Sequence, residues 1–298
     1  MKKLARQAFT LIELLVVIAI IGILSGLIVV SMGGMAQKAT IAKAQVFSNS
    51  LKNSLMLNLV SEWKFDEGSG ITTADSWSGG NAGTLVCPSS NCWKSGSSCI
   101  NGSCLYFPGN DLSYLNIADS SNLSFGDVTV SFWAYNGSAS HTTPTLYNKG
   151  AQGNLFGYWW AYTSGTTINW QYANGTSHNA VSWSNIFPVN VWSYLAFVYD
   201  NTNKTVQLFV NGIAQNKINV ANALPVTSGT LYFGSYQSLI YSTYSFGGSF
   251  DEIRIYNALI PTSQVKEQYY AGLNKMLANG NINNEEYKQR IEEISLNK

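Results

Sequence analysis

An almost uncharged stretch near the N terminus constrains this chain more than any other feature. Between Phe9 and Gln37 there are 29 residues and one charged side chain, Glu13. Its apolar part approaches the ~20 residues that a membrane-spanning helix needs. A basic segment precedes it and is expected to stay on the cytoplasmic side; its residues are Lys2, Lys3 and Arg6. The sequence therefore predicts a single-pass transmembrane helix with the rest of the chain outside.

The carboxylate of Glu13 has to be accounted for, because a charge costs about 2.5–3.5 kcal/mol at the centre of a bilayer. It lies in the run Arg6-Gln7-Ala8-Phe9-Thr10-Leu11-Ile12-Glu13-Leu14-Leu15. This run resembles the N-terminal signature of type IV prepilins and pseudopilins, which usually have Gly where this chain has Ala8. The resemblance implies that a prepilin peptidase cuts between Ala8 and Phe9 and that Phe9 is then methylated. Glu13 would pair with the Phe9 amine of a neighbouring pilin subunit in a homo- or hetero-polymer.

This resemblance also implies a location, which is the inner membrane before assembly and an extracellular filament or the cell surface afterwards. Two other interpretations remain open. An ordinary secretory signal peptide would need a shorter apolar core and an exit near Ala36. A generic membrane anchor leaves Glu13 unexplained.

The same helix is expected to continue beyond the membrane, to residue 59. Apolar residues recur at helical spacing in this part of the chain, for example Phe47, Leu51, Leu55 and Leu59. Gly33-Gly34 is a weak point where the helix is expected to kink or loosen. We expect a leader over residues 1–8 and an assembly helix over residues 9–59.

After position 60 the sequence pattern changes from helical spacing to short alternating runs. The charged fraction of the whole chain is 11% and the aromatic fraction 13%, which excludes an acidic disordered chain, a coiled-coil rod and a basic nucleic-acid binder. Short alternating runs separated by Gly, Asn and Ser predict strands of a two-sheet sandwich; they are Thr129–Tyr135, Trp192–Tyr199, Thr205–Val210, Leu231–Gly234 and Ile253–Tyr256. Asn211-Gly212 is a strong hairpin signal.

Several segments in this region, taken in order, resemble the laminin-G-like, concanavalin A-like jelly roll. They are Trp63–Gly70 with Asp75, Leu105–Gly109, Val128–Trp133, Trp192–Asp200 with Val210–Gly212, and Phe250–Leu259. The resemblance implies a mainly β fold, a non-catalytic jelly-roll sandwich over residues 60–272 that binds glycans or proteins. We expect a short helical tail over residues 273–298, serving either as an oligomer contact or as a solvated extension.

The family often carries a structural calcium ion, which needs several oxygen ligands. Asp66, Asp75 and Asp251 are the candidate ligands, because first and last strands commonly pair in this fold. The alternative is that these carboxylates cap turns and make local hydrogen bonds.

Four cysteines lie within 18 residues, Cys87, Cys92, Cys99 and Cys104. An exported chain favours disulfides. We favour a nested pairing, Cys87–Cys104 outside and Cys92–Cys99 inside, over two local bridges, Cys87–Cys92 and Cys99–Cys104.

Residues 156–183 are unusually aromatic and are interleaved with amide side chains. Trp159, Trp160, Trp170 and Tyr172 are the candidate ligand-binding residues, with amides from residues such as Asn169 and Gln171. Since adjacent strand residues face opposite sides, Trp159 and Trp160 cannot both point inward. Core packing, subunit contacts and a protein ligand are the alternatives to a glycan.

Catalysis is not expected. The one carboxylate pair that could suggest a glycoside hydrolase, Asp251-Glu252, would face opposite surfaces of a sheet. The sequence thus favours a pilin-like subunit that displays an adhesive domain. A type II secretion pseudopilin and a membrane-tethered lectin that never polymerises are the alternatives.

Overall fold

The structure, a computed structural model, describes residues 11–25, 58–77, 80–88, 91–109, 112–124, 126–137, 143–150, 156–174, 178–221, 228–236 and 244–297. Contacts divide the chain into two compact units, Met1–Ser54 and Leu55–Lys298.

In the first unit, residues 11–25 form helix α1, within the helix expected from the sequence. Among the described residues, no helix is both long and apolar enough to cross a membrane. Ala8, Phe9 and residues 26–57 lie outside the described part of the chain. Leu59 was expected at the end of the helix but instead begins a strand.

The described part of the second unit contains seventeen strands and two α-helices. They are β1 (Leu59–Trp63), β2 (Thr72–Thr73), β3 (Gly83–Val86), β4 (Trp93–Ser95), β5 (Ser103–Pro108), β6 (Tyr114–Ile117), β7 (Val128–Asn136), β8 (Thr145–Lys149), β9 (Phe156–Ser164), β10 (Thr167–Asn174), β11 (His178–Trp183), β12 (Trp192–Asp200), β13 (Thr205–Val210), β14 (Ile213–Ala214), β15 (Ile218–Asn219), β16 (Leu231–Phe233), β17 (Gly247–Tyr256), α2 (Thr262–Ala278) and α3 (Asn284–Leu296). Each segment that the sequence indicated as a strand is one.

The strands form two antiparallel sheets. Sheet 1 has the order β14-β13-β12-β7-β17-β5-β4, with β1 beside β17 and β15 beside β13. Sheet 2 has the order β11-β10-β9-β8-β16-β6-β3-β2. The mainly β, two-sheet jelly-roll arrangement expected from the sequence is confirmed. The expected pairing of the first and last strands also forms, as β1 against β17.

Aromatic side chains fill the space between the sheets. Phe132 on β7 of sheet 1 meets Tyr147 and Phe233 of sheet 2, each with ring centroids 5.9 Å apart. Such edge-on contacts add about 0.5–1.5 kcal/mol each to the free energy of burial. These interlocking rings fix the two sheets against one another.

The hairpin between β13 and β14 turns at Asn211-Gly212, as the sequence indicates. Val210 pairs with Ile213 across a two-residue loop. Asn211 and Gly212 have φ of 52° and 78°. A type I′ turn requires positive φ at both central positions, which Asn and Gly adopt most easily.

The disulfides differ from the nested pairing favoured on the sequence. Cys87 is bonded to Cys92, and Cys99 to Cys104. The register of β4 against β5 explains the difference, because it places Lys94 opposite Cys104. Cys92 and Cys99 are therefore not cross-strand partners, and each cysteine bonds to the one nearest in sequence.

The tail is a part of the folded unit. Helix α2 packs on the outer face of sheet 1, where Tyr269 stacks on Trp133 with ring centroids 5.4 Å apart. The expected domain boundary after residue 272 falls inside this helix. Helix α3 is capped by Asn283, whose side chain accepts a hydrogen bond from the Glu286 amide at 2.8 Å.

Candidate functional site

The outer face of sheet 2 carries a row of amide and aromatic side chains. Strand register places Asn116 beside Tyr232, Tyr232 beside Asn148, Asn148 beside Trp160, and Trp160 beside Gln171. These residues alternate with core residues along their strands, so their side chains point away from sheet 1. The row crosses five strands, which is about 19 Å at the usual strand spacing. We call it the amide–aromatic row.

An aromatic cluster surrounds the Trp160 end of this row. The ring of Trp160 stacks on Tyr162 with centroids 4.2 Å apart and lies 4.5 Å from the ring of Tyr236. Tyr244 completes the cluster at 5.8 Å from Trp160. Trp160 and Tyr236 are buried, whereas Tyr162 and Tyr244 are half-buried. The two half-buried rings are therefore partly accessible, and both pack against Trp160.

Trp160 is fixed in orientation by its own hydrogen bond. The indole Nε1 donates to Thr145 Oγ1 at 3.0 Å. Partial burial raises the pKa of Tyr162 above its ordinary value. The Tyr162 hydroxyl therefore stays protonated at neutral pH and can donate a hydrogen bond.

A second aromatic pair lies toward the other end of the row. Tyr114 and Tyr232 meet edge to face with centroids 5.7 Å apart, and both are half-buried. Burial, with Tyr232 nearby, raises the pKa of Tyr114. This end of the face therefore also combines an apolar ring surface with a neutral hydroxyl.

One amide on the face has an unmet hydrogen-bonding group. Asn148 is fully buried, and its Nδ2 donates to the Trp159 carbonyl at 3.5 Å. Its Oδ1 has no hydrogen-bond partner in the described structure. A buried acceptor without a partner costs about 1–3 kcal/mol; because Asn148 is enclosed, this oxygen lowers stability and is not offered to an external ligand.

The two adjacent tryptophans do point in opposite directions, Trp159 into the core and Trp160 to the outer face, and ligand binding by Trp160 stays a prediction. The sequence-based choice of ligand residues is wrong for the other three residues. Trp159, Trp170 and Tyr172 are buried in the core between the sheets. Trp170, for example, stacks on Tyr199 of sheet 1. Their role is packing, which was the alternative stated above.

Sequence reasoning missed four tyrosines of this face, because they lie outside residues 156–183; they are Tyr114, Tyr232, Tyr236 and Tyr244. The sequence could have indicated that Tyr232 points outward. Leu231 and Phe233 on either side are the core residues of a short strand, and adjacent strand residues face opposite sides.

The carboxylates proposed as calcium ligands do not form a metal site. No group of three or more His, Cys, Asp or Glu side chains in the described ranges is placed to hold a metal ion. Asp75 accepts hydrogen bonds from the backbone amides of Glu62 and Trp77 through Oδ1, each at 3.0 Å, and from Asn81 through Oδ2 at 3.1 Å.

The carboxylate of Asp251 likewise accepts hydrogen bonds from the protein backbone. Its oxygens accept from the amides of Ile100, Asn101 and Glu252 at 2.8–3.1 Å. Asp66 is exposed on the surface. Asp75 and Asp251 therefore have the structural roles named as the alternative, and calcium binding by these residues stays a prediction.

Comparison with known sequences identifies two regions. Residues 109–266, just over half of the chain, match the profile of the concanavalin A-like lectin/glucanases superfamily, of the laminin G type. Residues 3–29 match the prokaryotic N-terminal methylation motif. No curated protein matches the chain.

Solved structures with a similar fold include binding domains of clostridial toxins. The binding domain of Paraclostridial Mosquitocidal Protein 1 is 14% identical, with a TM-score of 0.55 over 74% of this chain and 53% of that one. The ligand-binding domain of botulinum neurotoxin serotype D, in complex with N-acetylneuraminic acid, is 12% identical, with a TM-score of 0.57 over 75% and 53%.

A third, the binding domain of botulinum neurotoxin DC in complex with rat synaptotagmin II, is 11% identical, with a TM-score of 0.53 over 73% and 52%. This chain spans about half the length of each of the three. The two sheets and the profile match agree: the chain belongs to the concanavalin A-like lectin/glucanases superfamily, joined to a prokaryotic N-terminal methylation motif.

Proposed function

We propose that this protein is a type IV pilin-like subunit whose sandwich binds glycans through the outer face of sheet 2. The methylation motif supports processing by a prepilin peptidase and assembly with other pilin subunits. In this account the apolar helix holds the chain in the inner membrane and later joins a filament core. The sandwich is displayed outside the cell, and no catalytic step is involved.

The observation that carries the binding function is the amide–aromatic row with its cluster. Sugars present apolar CH faces and hydroxyl groups, so a glycan site needs ring surfaces beside donors and acceptors. Tyr162 offers a half-buried ring that rests on Trp160. Gln171 lies opposite Trp160, and Asn148 lies beside it on the next strand. Ring and amide are thus adjacent on one rigid sheet.

The charge of the row favours a neutral ligand. Its five members carry amides, a phenol and an indole, and none of them is charged at neutral pH. An acidic sugar would gain no ion pair from them. The row also extends over about 19 Å, which is longer than one sugar ring. We therefore propose a neutral oligosaccharide, bound across several strands, as the ligand of this face.

The experiment measures binding of the full-length protein, purified in detergent, to immobilised neutral tetrasaccharides based on glucose, mannose and N-acetylglucosamine. Tyr162→Ala is expected to weaken binding to the recognised sugar about tenfold, the effect of losing about 1.4 kcal/mol of ring contact. Tyr162→Phe keeps the ring and is expected to retain most of the affinity.

Tyr287→Ala is the matched control, because Tyr287 is a half-buried tyrosine on α3, which belongs to the tail and not to sheet 2. Equal binding by wild type and Tyr162→Ala would overturn the proposed site.

A further inference from the structure

A separate cleft lies on the side of the molecule that carries the tail helices. Its volume is about 430 Å³, within the range of ordinary small-molecule sites. It is lined mainly by three segments distant in sequence: the turn after β4, the segment that enters β12, and the α2–α3 turn with the start of α3. Tyr135 of β7 and Ser249 of β17 complete the lining. The first and third segments lie outside the residues that match the superfamily profile. Parts of this chain outside the profile match therefore complete a cleft whose ring residues, Tyr135 and Trp192, lie inside it.

Hydrogen bonds hold the walls of this cleft together. The side-chain amide of Asn281, in the α2–α3 turn, donates to the Cys99 carbonyl, and that of Asn279 donates to the Ile100 carbonyl at 3.2 Å. Arg290 on α3 donates to the Trp192 carbonyl at 3.3 Å. The tail is thus bound both to the disulfide-bonded loop and to the start of β12. Such fixed walls lower the entropic cost of binding a ligand.

The lining combines a ring surface with hydroxyl and amide groups. Tyr135 and Trp192 meet edge to face with centroids 5.8 Å apart, and Tyr135 is half-buried. Ser97, Ser98 and Asn190 are exposed around the same cleft. This set of groups suits a polyhydroxylated ligand with one apolar face.

The charge of the lining distinguishes this cleft from the amide–aromatic row. Its charged residues are Lys94, Arg290 and Glu286, a net charge of +1. Arg290 is neutralised by Glu286 at 2.8 Å. Lys94 Nζ lies 3.7 Å from the centre of the Tyr106 ring, and within the described ranges no carboxylate forms an ion pair with it. Burial lowers the pKa of Lys94, and no acidic neighbour offsets this effect.

We propose that this cleft binds an acidic saccharide, with the sugar ring against Tyr135 and Trp192 and its carboxylate at the Lys94 ammonium. The exposed serines and Asn190 would bind the sugar hydroxyls. Lys94 supplies the selectivity, because a carboxylate gains a charge-assisted hydrogen bond there that a neutral sugar cannot make. This second site is independent of the neutral-glycan face on sheet 2.

The test uses ligand-observed NMR on the full-length protein in detergent, with D-glucuronate as the probe and D-glucose as its neutral match. Glucuronate is expected to bind about tenfold more tightly than glucose, the typical effect of one charge-assisted hydrogen bond. Lys94→Gln is expected to abolish that difference, whereas Lys94→Arg keeps a cation and is expected to preserve it.

Tyr162→Ala, on the opposite side of the sandwich, is expected to leave glucuronate binding unchanged. Undetectable glucuronate binding at millimolar concentration, or equal binding by wild type and Lys94→Gln, would overturn the proposal. Neither result bears on the neutral-tetrasaccharide experiment, since that site contains none of these residues.

Discussion

The carboxylate of Asp251 on β17 accepts a hydrogen bond from the backbone amide of Ile100 at 2.9 Å, although 151 residues separate them. Ile100 lies in the loop closed by the Cys99–Cys104 disulfide. The side chains of Asn279 and Asn281 bind carbonyls of the same loop. The loop is therefore the point where the last strand and the tail helices are joined.

Asp251→Asn is expected to lower the free energy of unfolding by about 1–3 kcal/mol, because the Asn amide nitrogen cannot accept a hydrogen bond, whereas both oxygens of Asp251 accept from buried backbone amides. Asp200→Asn is the matched control: Asp200 also accepts two hydrogen bonds, both from Asn203, but in an exposed position. Urea unfolding followed by tryptophan fluorescence measures both variants. Equal losses in the two would contradict a central role for Asp251.

The lowered pKa of Glu252 predicts how the free energy of unfolding depends on pH. Burial alone would raise its pKa, but Arg254 and Lys275 outweigh burial and hold the pKa below its ordinary value. Lys275 Nζ lies 2.5 Å from Glu252 Oε1. A carboxyl group with a lowered pKa in the folded state binds fewer protons there than in the unfolded chain. Its stabilising effect is therefore fully present above the ordinary Glu pKa and is lost as pH falls below that value.

Glu252→Gln is expected to lower the free energy of unfolding by about 3 kcal/mol at neutral pH, because the half-buried Arg254 loses a partner. The difference between wild type and variant is expected to shrink as pH falls below about 4.5, the ordinary range of Glu. Urea titrations at a series of pH values measure this difference. A difference that stays constant with pH would show that the charge of Glu252 is unimportant.

Gly272 allows α2 to approach sheet 1 closely. A Cβ atom at this position would lie 2.3 Å from Cζ2 of the buried Trp133 ring. Gly272→Ala is therefore expected to destabilise the protein by about 1–3 kcal/mol through overpacking, although Ala is the better helix former by about 1 kcal/mol. Ala271→Ser, at the neighbouring exposed position, is the control. Increased stability of Gly272→Ala in urea unfolding would contradict this packing.

The disulfide pairing can be tested without a structure. Lys94 lies between the two bridged pairs, and neighbouring basic residues are at Lys64 and Lys149. Tryptic digestion without reduction is expected to separate the peptide that carries Cys87 and Cys92 from the peptide that carries Cys99 and Cys104. Mass spectrometry of the two peptides checks this. A single linked species would instead support the nested pairing.

The strand pattern was predictable, because alternation along each strand and the Asn211-Gly212 turn are local properties of the sequence. The sequence also indicates which side chains of β10 face the core. Ile168, Trp170 and Tyr172 form its apolar side and face the core, whereas Asn169 and Gln171 form the opposite side. The ligand residues were misassigned because aromatic content was given more weight than this alternation.

The disulfides and the carboxylate roles were not predictable in the same way. The cysteine pairing depends on the β4–β5 register, which four closely spaced cysteines do not specify. The role of Asp251 depends on amides about 150 residues away in the chain. Since these contacts form between segments that are distant in sequence, local patterns do not reveal them.

Intact mass and N-terminal sequencing of the protein from its native membrane or shed fibres test most directly whether it is a processed pilin-like subunit that displays a lectin-like sandwich. We expect a chain that begins at N-methylated Phe9. A chain that begins at Met1, or one cut near Ala36, would contradict this expectation and would leave a tethered or secreted binding domain.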